Sequence, residues 1–163
     1  MYLEASAQKD TLAKVDSTPK KVFVPHRPEI IYEVDEQSTL GQSMRRGRTI
    51  YLNQCLRCHG DKGQGIEGLF PPLAKSDYLM ADSNKGVLVT IFGLNEKIMV
   101  NQKEYNTKME GNTFLNDTEV ADLHNFILNS WGNRARMIGI NQVKTIRASR
   151  KVEKKINDLT QNK

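Results

Sequence analysis

The residues best suited to chemistry stand in one short run, Cys55-Leu56-Arg57-Cys58-His59. Two thiols three positions apart can add across the two vinyl groups of a protoporphyrin. The histidine that follows is placed to ligate the iron from one face, so the run reads as a covalent attachment site for c-type haem. A C-x-x-C pair is also half of a zinc site or a redox dithiol. Zinc would need further thiolates or imidazoles, but the chain has only two cysteines and three histidines. Its other histidines, His26 and His124, are not in paired ligand spacing. Haem attachment is therefore the preferred reading.

Such a site needs a helix to deliver the thiols and a loop to wrap the macrocycle. From Ser38 the pattern is helical, with Leu40, Met44, Gly47, Ile50 and Tyr51 at three-to-four spacing up to Cys55. Gly47 and Tyr51, one turn apart, would let a second helix cross closely. After His59, Gly60-Asp61-Lys62-Gly63-Gln64-Gly65 can adopt positive φ and let backbone approach a bulky flat ligand. No strand leads into this run and no Lys-Ser/Thr pair follows it, which argues against a phosphate-binding loop. Phe70-Pro71-Pro72-Leu73 then stiffens the chain, and a carbonyl there could accept the Nδ1 proton of His59 and fix its ring for iron.

Further on, Ser76 to Met80 reads as a serine-capped helical turn, and Ser83 to Phe92 as a helix stopped by Gly93. Lys97 to Tyr105 looks like a small β excursion turning near Asn101, and the loop after it carries Met109. The best-signalled helix follows. Asn116 and Glu119 form a capping-box pattern, Leu115 and Val120 take staple positions, and Val120, Leu123, Phe126 and Ile127 form the buried stripe up to Trp131-Gly132-Asn133.

At 163 residues with 38% hydrophobic content, the chain can bury one core. Three parts are expected: an extended arm at 1–36 with three prolines, a domain at 37–138, and a basic, helical tail at 139–163. In the tail, Val152, Ile156 and Leu159 give one apolar face. The formal net charge of +5 favours partners with acidic docking surfaces. Nucleic acid is not expected as a partner, because runs such as Arg45-Arg46-Gly47-Arg48 lack interleaved aromatics. No stretch approaches the ~20 apolar residues of a membrane span. Covalent haem attachment occurs on the outer side of energy-transducing membranes, so a periplasmic or otherwise exported location is expected. The start Met1-Tyr2-Leu3-Glu4 lacks signal-peptide character, while Ala5-Ser6-Ala7 resembles a cleavage site, as in a chain whose leader is absent or truncated.

Together these residues resemble a class I, mono-haem cytochrome c. The likeness covers roughly residues 40 to 133: Gly47-x-x-x-Tyr51-x-x-x-Cys55-x-x-Cys58-His59-Gly60, Phe70-Pro71-Pro72-Leu73, Val100-Asn101 to Tyr105-Asn106, Met109, and Leu115 to Asn133. It implies an all-α cytochrome c fold, with several helices wrapped around one covalent haem. It also implies thioethers at Cys55 and Cys58, His59 as proximal iron ligand, the Pro71 carbonyl orienting that histidine, and Met109 as distal ligand. Met80, Met99, Met137 and His124 are rivals for the distal position. The first three are expected to pack as ordinary methionines, and His124 to be a surface or hydrogen-bond-satisfied histidine. Glu110 stands where the family usually has proline, which predicts a more mobile ligand loop, and Gln102 stands where a turn glycine is common.

The resemblance implies an electron carrier, not an enzyme. Such domains occur free or attached to respiratory oxidoreductases, so the alternative is a haem c subunit or docking module of an oxidase, nitrite reductase or dehydrogenase. A third reading, a ligand-binding haem with an open distal side, is motivated by the departure at Glu110.

Overall fold

A computed structural model describes residues 39–149. The expected arm at 1–36 and the apolar face of Val152, Ile156 and Leu159 lie outside the described residues. The framework is a crossing of two helices, α1 (Thr39–Gln54) and α5 (Asp117–Ile127). Gly47 of α1 lies so close to α5 that a methyl group there would collide with the Asp122 carbonyl. One turn later Tyr51 is fully buried, with its ring centroid 5.4 Å from Phe126 and 5.0 Å from Trp131. The small residue sets the helix separation, and the aromatic cluster fills the space beside it.

A polar contact fixes the register of the same crossing. Asp122, 5% exposed, accepts from Ser43 Oγ at 2.5 Å and from Arg46 Nε at 2.6 Å. Part of the basic run on α1 is thus committed to an internal ion pair. The start of α5 matches the sequence expectation: Asn116 Oδ1 accepts from the Thr118 and Glu119 amides, and Glu119 accepts from the Asn116 amide at 2.8 Å.

The end of α5 comes earlier than the stripe predicts, at Ile127 instead of near Trp131. The reason is Asn133, whose Nδ2 donates to the Ile127 carbonyl at 2.9 Å and the Leu73 carbonyl at 2.7 Å. A side chain satisfies the last helical carbonyl and ties the proline loop to the end of α5.

The short helices follow the sequence closely. α2 (Leu56–His59) continues almost directly from α1, α3 (Asp77–Ala81) is capped by Ser76, and α4 (Ser83–Phe92) stops at Gly93. Four small strands accompany the helices: β1 (Gly93–Leu94), β2 (Ile98–Val100), β3 (Lys103–Tyr105) and β4 (Met109–Glu110). β2 and β3 form the expected hairpin. Asn101 and Gln102 both take positive φ, so Gln102 adopts the conformation a glycine would have supplied. Reciprocal bonds hold this turn, with the Asn101 amide donating to Asp77 Oδ1 at 2.8 Å and the Asp77 amide to Asn101 Oδ1 at 3.0 Å. The pairing of β1 with β4 has no counterpart in the sequence reading. It pins the segment expected to be a mobile loop.

Residues 140–149, at the start of the expected basic tail, form a further helix, α6. Val143 on it is fully buried, and Arg147 donates to Asp117 Oδ1 at 2.7 Å and to the Leu115 carbonyl at 3.0 Å. Asn125 of α5 holds the approach to α6 by bonding both the amide and the carbonyl of Ile138.

Candidate haem site

α1 passes into the chemical run through a single turn residue, Cys55, whose amide donates to the Tyr51 carbonyl and whose carbonyl accepts from the His59 amide, each at 2.9 Å. Tyr51 Oη closes this turn by donating to the Gly60 carbonyl at 2.6 Å. The thiols and the imidazole therefore sit on α2 and its N-cap, directly after the helix that packs on α5. Cys55, Cys58 and His59 all line one cavity.

The loop after His59 folds back onto it. The Gly65 amide donates to the His59 carbonyl, and Leu73 and Ala74 both donate to the Gly63 carbonyl. Gly65 has φ +66° and passes within 2.8 Å of the Pro71 carbonyl as a Cβ would see it, which leaves no room for a side chain. The outcome is a fixed proline carbonyl: His59 Nδ1 donates to Pro71 O at 3.0 Å. That bond places the proton on Nδ1 and leaves Nε2 with a free lone pair for a metal. Burial pulls the His59 pKa below its ordinary value and so favours the neutral ring a metal requires, while the bond to Pro71 opposes that shift.

The rest of the cavity wall is mainly apolar and comes from the proline loop, α3, α4, β1, β2 and α5. It includes Phe70, Leu73, Leu79, Val89, Leu94, Ile98, Val100 and Ile127. Met109, half-buried on β4, also lines it. Met99 and Met137 are exposed, Met80 packs against the hydrophobic core, and none of these three lines the cavity.

His124 departs from expectation. It is buried, at 2% exposed, in the wall of the same cavity. Its Nε2 shares a hydrogen bond with Thr90 Oγ1 at 3.0 Å, whereas its buried Nδ1 has no protein partner. Burial lowers its pKa to about 4. Position gave partial warning, since His124 follows Val120 by one turn on the buried side of α5. The Thr90 partner lies 34 residues away and had no sequence signal.

The alternatives for the thiols are weakened by their surroundings. Burial, with a smaller contribution from Cys58, pushes the Cys55 thiol up to about 12, the opposite of what a reactive dithiol needs. Among the described residues no three metal-ligating side chains cluster, so these residues offer zinc no complete ligand set. Two half-buried thiols at one edge, an imidazole with a prepared nitrogen and a broad apolar wall fit a flat, covalently tethered iron macrocycle.

Comparison with known proteins agrees. Residues 44–131 match the family model described as Cytochrome c. "Cytochrome c-552" of Thermus thermophilus is 35% identical over 113 residues, covering 64% of this chain and 86% of that protein. The "Alcohol dehydrogenase (quinone), cytochrome c subunit" of Gluconobacter oxydans is 34% identical over 91 residues, covering 55% of this chain but 19% of that subunit. A similar subunit of Gluconacetobacter polyoxogenes is 30% identical over 90 residues.

Proposed function

The chain belongs to the cytochrome c family, with haem c as its cofactor and electron transfer as its function, and on that premise we propose a periplasmic or otherwise exported single-electron carrier whose one haem is ligated by His59 and Met109. Haem c supplies the one-electron iron couple. Cys55 and Cys58 tether it, and the Pro71 carbonyl holds His59 in the ligating tautomer. The apolar wall excludes water from the macrocycle. Met109 would supply the second protein ligand to the iron, where a thioether would raise the reduction potential and leave no place for substrate.

The observation that carries this reading is the position of Met109, the one methionine among the described residues that lines the cavity. Met109→Ala should keep the covalent haem but lose the weak far-red band of thioether–iron(III) ligation. It should also open the reduced protein to carbon monoxide. An unchanged band, together with continued resistance to carbon monoxide, would sink the ligand assignment.

Partners are redox proteins whose acidic surfaces meet this net-positive chain. A second reading, a haem subunit or docking module of a respiratory oxidoreductase, is favoured by the likeness to the alcohol dehydrogenase cytochrome subunit. Among the described residues no helix is long and apolar enough to cross a membrane.

A further inference from the structure

The strand pair that carries Met109 is held by an unusually close backbone contact. β1 and β4 are only two residues each, paired Gly93 with Glu110 and Leu94 with Met109. Two residue pairs supply too little ladder to fix a strand, so something else must hold β4 in place. A Cβ on Gly93 would lie 2.5 Å from the Met109 carbonyl oxygen and 2.8 Å from the Gly111 nitrogen. A Cβ on Gly111 would lie 2.6 Å from the Ile91 carbonyl oxygen and 2.8 Å from the Gly93 nitrogen. Each glycine occupies space that the other's backbone requires, so the approach exists only while both lack side chains.

The contact is extended on its far side by the Asn112 amide, which donates to the Thr90 carbonyl at 2.7 Å. Thr90 belongs to α4, and its hydroxyl meets His124 of α5 at 3.0 Å. A path of hydrogen bonds therefore runs from α5, which packs on α1, through Thr90 to the segment carrying Met109. Both sides of the cavity share this one scaffold.

We propose that Gly93 and Gly111 form a side-chain-free latch that positions Met109 at the iron, with the Thr90 carbonyl as its anchor. The latch replaces the stiffness that a proline after Met109 would give, since Glu110 stands there. The inference rests on the reading of Met109 as distal ligand. Gly111 is the informative position, because its φ is not among the positive values of the chain and alanine is excluded there by contact alone.

The test compares three variants of the full-length, haem-loaded protein: Gly111→Ala, Met109→Ala and Gly139→Ala. A Cβ at Gly139 meets nothing within 4 Å, so that variant controls for loss of a glycine as such. Gly111→Ala should weaken the hold of Met109 on iron by about tenfold or more. This would be read as a diminished far-red ligation band and faster carbon monoxide binding to the reduced protein, with Gly139→Ala unchanged. A band lost in Met109→Ala but intact in Gly111→Ala, with carbon monoxide still excluded, overturns the latch alone. A band that survives Met109→Ala overturns the ligand reading beneath it. If Gly111→Ala fails to fold, amide exchange in the unaltered protein decides. Protection at Asn112 that is lost together with the band in mild denaturant supports the latch. Free exchange at Asn112 while the band is intact overturns it.

Discussion

His124 shows how one residue couples the cavity to stability. Its imidazole is buried with only Thr90 as a protein partner, and burial holds its pKa at about 4 against an ordinary 6.5. The folded pKa is the lower one, so between these values the unfolded chain binds the extra proton. This contribution to stability is complete above about pH 6.5 and is lost as pH falls toward 4, by roughly 3 kcal/mol. Denaturant titrations of the haem-loaded protein at neutral and acid pH should show this slope, and His124→Leu should flatten it. An equal slope in both proteins would assign the acid sensitivity to other groups. The sequence marked His124 as a minor candidate but not its depth, because burial at that position depends on α4 packing over it.

At the scale of elements, the crossing of α1 and α5 is the most demanding contact. Gly47 meets the Asp122 carbonyl directly, and Asp122 holds Ser43 and Arg46 on the same face. A methyl at Gly47 must push the helices apart and stretch that network. Gly47→Ala should therefore cost about 3 kcal/mol, toward the upper end for overpacking, visible as a lower melting temperature at full haem content. A variant as stable as its parent would show that the crossing yields more easily than its geometry implies. The crossing was legible in advance because a glycine and an aromatic one turn apart form a recognisable local pattern. The capping box was legible for the same reason, since its partners are three residues apart. The β1–β4 pair was not: two-residue strands have no periodicity, and their partners are separated by a hairpin.

For the whole molecule, charge is the property that governs encounter. The formal net charge is +5, and exposed pairs such as Lys97 with Glu104 at 3.0 Å lie on the surface. Such surface pairs contribute little to stability, but the summed field steers a partner of opposite sign. Electron exchange with an acidic redox protein should slow by about tenfold or more between low and roughly 1 M ionic strength. A rate independent of salt would point instead to a permanent complex, as the subunit reading requires.

The sequence alone determined the attachment run, the helix that delivers it, the α5 cap and the hairpin turn, because each is specified by residues within a few positions of one another. It also supplied Pro71 and Met109, through likeness to a family. Only the tertiary structure decided that the Pro71 carbonyl meets His59, that Met109 lines the cavity while Met80, Met99 and Met137 do not, and that His124 is buried there. Those outcomes depend on contacts between residues distant in sequence, such as His59 and Pro71, 12 apart, and Thr90 and His124, 34 apart. Such contacts form when the helices pack and exclude water, and no local spacing encodes them.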